Sequence, residues 1–281
     1  MRRWGSVLLR QFQLSNYLRQ FDPSMRIDCT YPHENIGVSD VAVVSKTVAS
    51  IPDSTAVFEK IRSHSRTLVT DLVDGNPGLV EPWSHLIDGY LCASLSEYDY
   101  WQKRSKESFL VPHQVDATLD PHSNTHSEFN LGYVGRPENA AHLKKLKIST
   151  YNTNFSWSRW GSRQLRKFLP RLSHHYLVRK YRPDDGFKPG LKAFNAAHFG
   201  AAVIGSRSDS ETMLLLGADY PYLAQDSTYD SVVDVVREAE QSFGSELHQK
   251  ALRQTAVLKN LSCPARVVGE LHQSIRRSLK A

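Results

Sequence analysis

The stretch GFKPGLKAFNAAHFGAAVIGS, Gly186 to Ser206, reads as a loop, a helix and a fully apolar strand in succession. Wound at about 100° per residue, Lys188, Lys192 and Asn195 fall on one stripe roughly 60° wide, while Leu191, Phe194, Ala197 and His198 face elsewhere. Pro189 suits the first helical position, where its missing N–H costs nothing, and Gly190 would leave the backbone of the first turn open. A helix start offers unpaired N–H groups and the positive end of the macrodipole, so two ammonium groups on that stripe would complete a seat for a diphosphate. The competing reading is a solvated polar face. The strand HHYLVRKY ahead of the stretch weighs against it, because it puts the helix start at the carboxyl edge of a parallel sheet, where ligands of α/β proteins bind.

Strand-like and helix-like apolar periods alternate along the rest of the chain, which points to an α/β protein with a mostly parallel sheet. DVAVVSK, RTLVTDLVD, DGYLCAS and SFLVPHQVD read as strands of a first half, with STAVFEKIRSH a helix between the first two. The polar, aperiodic ATLDPHSNTHSE is the linker candidate, dividing the chain into domains at 1–122 and 123–281. Beyond it, FNLGYVGRPENAAHLKKLK predicts strand, glycine turn and helix, KISTY and HHYLVRKY predict strands, and SRQLRKFLPRL predicts a helix. SETMLLLG, SVVDVVREAEQSF, ELHQKALRQTAVLKN and GELHQSIRRSLK predict the later helices, all in the second domain.

A chain of 281 residues can hold two cores of ordinary size. Lys and Arg number 35 against 29 Asp and Glu, so the surface mildly attracts anions: phosphorylated ligands, acidic polymers or a membrane face. Three cysteines, Cys29, Cys92 and Cys263, are far apart, which argues against a disulfide framework and for a reducing, cytoplasmic setting. The apolar run VLL near the start is too short for a signal peptide, and no window approaches a membrane span, which leaves peripheral membrane contact as the only membrane mode.

GYVGR, Gly132 to Arg136, ends a strand in a glycine turn where Gly135 would let a ligand approach and Arg136 could fork onto phosphate oxygens; a purely structural turn is the alternative. The glycines do not match the dinucleotide fingerprint. Asp71 and Asp74 in TDLVDGN end a strand beside a turn, either as catalytic carboxylates or as an Asp turn motif. SDSE, Ser208 to Glu211, reads as a capping box. His122 and His126 lie in coil with no third ligand, so no metal is expected. Of His174 and His175, alternation on a strand predicts one packed and one wet, and His198 reads as a core histidine. Trp157, Trp160, Arg159, Arg163 and Arg166 could serve nucleic acid or simply form a basic helix face; without an accompanying recognition motif, no nucleic-acid partner is expected.

GYVGR and KPGLKAFNAAHFGAAVIGS, with SETMLLLG just after, resemble the carboxyl domain of GT-B glycosyltransferases that use nucleotide sugars. VPHQVD is similar to the VPNGVD segment of that family, and the strand ends of the first half resemble its amino domain. The resemblance implies two Rossmann-like domains facing each other across a cleft, with the amino domain trimmed. It implies that Gly135, Arg136 and Lys188 or Lys192 approach the donor diphosphate, and that an acidic residue near Glu211 lies by the donor. Many retaining members carry two glutamates with seven residues between them; here those positions hold Phe187 and Asn195. Asn195 can still bond the donor ribose as a neutral donor and acceptor. The expected activity is transfer of a hexosyl or related sugar from a nucleotide-sugar donor to a carbohydrate or glycoconjugate acceptor, without metal or other cofactor. Asp74 is the nominated base, with Asp71, Glu34 and His33 behind it. The alternative is a GT-B-like protein that binds a nucleotide or anionic glycan without turnover.

Overall fold

The computed structural model describes residues 7–30, 36–51, 54–116, 119, 124–153, 159–180 and 186–279. In chain order, a π-helical turn (Val7–Gln13) leads into α1 (Leu14–Phe21), β1 (Ser39–Ser45), α2 (Lys46–Ala49), α3 (Ser54–His64), β2 (Ser65–Asp71), β3 (Gly89–Cys92), α4 (Leu95–Gln102) and β4 (Ser108–Leu110). There follow β5 (Leu131–Gly135), β6 (Ser149–Asn152), α5 (Arg159–Phe168), β7 (His174–Tyr176), α6 (Leu191–Phe199), β8 (Ala202–Ser206), α7 (Ser210–Leu216) and β9 (Leu223–Ala224). Four helices close the chain: α8 (Tyr229–Gln241), α9 (Glu246–Ala256), α10 (Leu258–Ser262) and α11 (Pro264–Ser278).

The chain forms two compact units. The first comprises Ser6–His113, Pro183–Pro189 and Pro264–Ala281; the second comprises Gln114–Arg182 and Gly190–Cys263. The domain division at 122/123 puts GELHQSIRRSLK in the second domain, but α11 belongs to the first unit. The physical reason lies in strand order. The first sheet runs β1-β2-β3-β4, all parallel, so right-handed crossovers carry every connection over the same face. Successive strand residues point to opposite faces. Leu68 and Tyr90 meet Phe58 of α3 and Trp101 of α4, whereas Val69 and Leu91 on the reverse face need another cover. Leu14 and Leu18 of α1 with Val267, Val268, Leu271 and Ile275 of α11 supply it.

The second sheet runs β6-β5-β7-β8-β9, also parallel. Its core joins Tyr133, Tyr176, Val203 and Ile204 to Phe194 of α6, Val232 of α8 and Ala251 of α9. Burying each large side chain of this kind contributes about 1.5–3 kcal/mol. The helix expected over PENAAHLKKLK is absent. Pro137–Asn139 makes only a 3-10 turn, Ala140 is drawn into an antiparallel bridge with Arg179, and His142 and Lys147 take positive φ, which a helix cannot continue through. Among the described residues no helix is long and apolar enough to cross a membrane.

Candidate functional site

In the second unit the chain places β6 on one side of β5 and then returns to place β7 on the other, so the strand order turns back between β5 and β7. Loops leaving two such strands run to opposite faces, and the gap between them at the carboxyl edge is where open α/β sheets hold ligands. Gly135 and Arg136 leave β5 at that edge, and Arg179 follows β7 there. Gly135 takes φ +152°, and a Cβ on it would lie 2.6 Å from the Tyr133 hydroxyl. The glycine therefore lets that hydroxyl donate to the Arg136 carbonyl at 3.0 Å, fixing the turn that carries the exposed guanidinium. Lys192, in the first turn of α6, holds its Nζ 5.3 Å from the centre of the Tyr133 ring, so one phenol ties the start of α6 to the end of β5. Asn195 is 6% exposed and its Oδ1 has no hydrogen-bond partner.

α6 begins at Leu191 with Gly190 as its cap residue, so Lys188 and Pro189 precede the helix and the predicted stripe of Lys188, Lys192 and Asn195 does not exist. Lys188 belongs to the first unit, with its Nζ 3.9 Å from Asp74 Oδ2. The backbone at Gly186 is pressed on the Gly75–Asn76 turn, where a Cβ would collide, and the Phe187 ring leans on Tyr100 at 5.2 Å. The segment is thus anchored before the helix can start. The glycine at 190 makes room for a neighbour: a Cβ there would run into Leu215 of α7.

Farther along the same edge, Ser206 Oγ lies 2.7 Å from Ser208 Oγ, which in turn lies 2.8 Å from Ser227 Oγ. The predicted Ser208–Glu211 capping box is replaced by Asp209, whose carboxylate accepts from Thr212 N at 3.5 Å and sits 3.1 Å from Arg179 Nε. Glu211 is buried in the first turn of α7. His174 and His175 are both buried, against the expectation of one wet ring. His174 stacks on His248 at 5.1 Å, and burial pushes both β7 imidazoles down to about 3, with His126 and His248 beside His174, and His126 and Lys192 beside His175, acting the same way. His198 is half-buried and bonds Ser262 Oγ at 3.0 Å. Among the described residues no three His, Cys, Asp or Glu side chains are grouped to hold a metal ion.

In the first unit, β2 ends at Asp71, which is 5% exposed and accepts from Arg10 Nε at 2.9 Å. Arg10 also donates through Nη1 to the carbonyls of Val111 at 2.6 Å and Pro112 at 3.0 Å, while Arg10 Nη2 and Asp71 Oδ1 keep no partner. Asp74, in the turn after β2, pairs with Lys46, which begins α2 just after β1. His113, beyond β4, is buried with its Nδ1 unpartnered; burial, then Arg10 and Lys46, push its imidazole well below the usual range. Glu34 and His33 lie outside the described residues, as do His122 and Trp157.

No family model and no curated protein sequence matches the chain. Solved structures do. Anabaena HepE in complex with UDP is 10% identical with a TM-score of 0.60, over 94% of this chain and 82% of that one. Pneumococcal O-GlcNAc transferase GtfA, in complex with UDP and GlcNAc, is 12% identical with a TM-score of 0.59, over 88% of this chain and 58% of that one. T4 phage BGT with UDP-glucose is 10% identical with a TM-score of 0.52, over 93% of this chain and 92% of that one. The chain has the GT-B fold. It spans 59% of the chain in the GtfA/B complex, so this GT-B protein corresponds to just over half the length of that neighbour.

Three residues of this GT-B chain escape a reading by spacing. Arg10 comes from a π-helical turn that no local pattern predicts, and it becomes visible only when β2 and the carbonyls after β4 surround it. His113 was in view within VPHQVD, but nothing in that run marks it as a buried, unpartnered imidazole. Arg179 reads as one more strand cation, and only the strand order places it beside the turn-back.

Proposed function

We propose that this GT-B chain is a glycosyltransferase that moves a hexosyl or related sugar from a nucleotide-sugar donor to a carbohydrate or glycoconjugate acceptor, without a metal. The single observation behind the reading is the carboxyl edge at the β5–β7 turn-back, where Tyr133 donates to the backbone carbonyl of Arg136 and faces Lys192 and where Asn195 keeps a buried Oδ1 without a partner. The HepE and GtfA structures hold UDP, which supports a nucleoside diphosphate as the ligand class proposed for this edge.

In this reading Arg136 and Lys192 neutralise the diphosphate together with the N–H groups at the start of α6. Asn195 Oδ1 accepts from a ribose hydroxyl, and Glu211 accepts from a hydroxyl of the donor sugar. The bond between the anomeric carbon and the diphosphate oxygen breaks with its electron pair moving to the diphosphate, whose growing charge those cations stabilise. The acceptor oxygen bonds the anomeric carbon and its proton passes to Asp74. Asp71, buried and held by Arg10, serves as a positioning residue, and Lys188 steadies Asp74 instead of the donor.

A second reading, nucleotide or anionic-glycan binding without turnover, draws on one observation: both nominated carboxylates are already matched by cations, Asp71 by Arg10 and Asp74 by Lys46. Thermal shift with UDP, GDP, ADP and CMP tests the nucleotide binding common to both, and stabilisation by none of them removes the transfer reading and leaves the second only an anionic glycan as ligand. Release of free sugar from a stabilising donor then separates enzyme from binder: slow hydrolysis lost in Asp74→Asn supports transfer, and no hydrolysis supports the binder.

A further inference from the structure

The charge of this protein is segregated. The 45 residues from Asn139 to Pro183 contain eleven Lys and Arg and no Asp or Glu, while the remainder carries 24 cations against 29 carboxylates, a net charge of −5. The whole positive balance of the chain therefore resides in one stretch of the second unit. Lys144, Lys147, Arg163, Arg166, Lys167 and Arg171 are all exposed there, and no described carboxylate pairs with any of them.

Topology gathers several of these at one edge. Gly132 of β5 is level with Ser149 of β6 and with His175 of β7, and Lys147 and Ser173 each precede those residues by two. With neighbouring strands about 4.8 Å apart, the turn carrying Lys144 and Lys147 and the turn carrying Arg171 flank the amino end of β5 at a spacing of roughly 10 Å. α5 connects parallel strands, so it runs back toward this amino edge, and Arg166 and Lys167 lie in its last turn. β6 is the outer strand of the sheet, with Ser149 and Thr150 exposed. This is the edge opposite the one that carries Gly135 and Arg136.

We infer that this basic edge binds the phosphate backbone of a nucleic acid. Unpaired cations gathered on one edge, exposed hydroxyls and an outer strand are the groups that contact such a backbone without reading bases. An anionic membrane fits less well. A helix that rests in a membrane interface shows apolar side chains next to its cations, whereas among the described residues of this stretch Leu143, Ile148, Leu165, Leu169 and Leu172 are buried and Leu146 and Phe168 are half-buried. The large exposed apolar side chains of the described residues, Phe12, Phe21, Val38, Val43, Leu214 and Val257, all lie outside it. The inference replaces the expectation of no nucleic-acid partner, which rested on the lack of a recognition motif, and it stands apart from the sugar-transfer reading.

The test is fluorescence anisotropy of the full chain with a labelled 20-base-pair duplex of mixed sequence at several salt concentrations. Four or five phosphates neutralised give a plot of log K against log salt with a slope of about −4. Charge reversal of Lys144, Lys147, Lys167 and Arg171 to Glu is expected to weaken binding at least about 30-fold and to leave any nucleotide-induced thermal shift intact. Arg66→Glu with Arg277→Glu, two reversals in the first unit, is expected to change affinity less than about 3-fold. The inference is overturned by wild-type protein that does not bind the duplex at low salt, by a slope near zero, by control reversals as damaging as the four, or by vesicles containing phosphatidylglycerol binding tenfold tighter than DNA.

Discussion

Replacing Asn195 by Leu should make the free protein more stable and its ligand complex weaker. Asn195 Oδ1 is buried with no partner, and a buried acceptor left unpaired costs about 1–3 kcal/mol. Leucine has nearly the same shape, removes that oxygen and favours helix, so α6 should keep its packing against the core. For a unit of this size about 1 kcal/mol moves the midpoint by roughly 3 °C, which predicts a rise of roughly 3–9 °C in the absence of ligand. The opposite holds with UDP. At 100 times its Kd a ligand stabilises the wild type by about 2.7 kcal/mol. Loss of the ribose contact should raise Kd about 10–100-fold, so the same UDP concentration would stabilise the variant by only about 0.4–1.4 kcal/mol. Differential scanning fluorimetry with and without UDP reads both quantities from one plate. A free variant less stable than the wild type, or an undiminished UDP shift, would refute the reasoning.

Three further outcomes concern stability. Burial pushes the His174 and His175 imidazoles down to about 3 in the folded state against about 6.5 unfolded, so their stabilisation is complete above pH 6.5 and is lost as pH falls toward 3; the slope should steepen below 6.5 toward at most about 3 kcal/mol per pH unit near pH 5, seen as a falling urea midpoint between pH 7 and 5, and a flat midpoint would contradict it. Arg10→Met leaves Asp71 buried and unpaired and should cost about 3–5 kcal/mol, most of it recovered when Asp71→Asn is added; equal stability of the single and double variants would remove the claim that the pair matters. Gly190→Ala should cost about 1–3 kcal/mol by overpacking against Leu215 and be rescued by Leu215→Ala, whereas a neutral Gly190→Ala would remove the claim that Leu215 requires a glycine there.

The fold was legible wherever the apolar period carried the information. STAVFEKIRSH and SVVDVVREAEQSF show their structure in their own helical period, because each buries one face against its own sheet, and DVAVVSK shows its strand in a β-branched apolar run. PENAAHLKKLK misled for the complementary reason: its helical period is local, and the bridge from Ala140 to Arg179 is not. α11 has an unmistakable helical period, yet its partner face is created by the order of four distant strands, which no window of sequence contains. The candidate site divides in the same way. Gly135 and Arg136 follow from a strand meeting a glycine turn, while Lys188 was misplaced because Gly186 and Phe187 are held by residues about 110 and 90 positions earlier in the chain. Arg10 and His113 acquire meaning only from neighbours remote in sequence.

The central claim is that a nucleoside diphosphate is held where β5 and β7 part. A crystal structure of the protein grown with UDP tests it most directly. Density for the two phosphates within hydrogen-bond reach of Arg136 and the first N–H groups of α6, with the ribose at Asn195, is the predicted result. Density for UDP at any other place on the chain would contradict it.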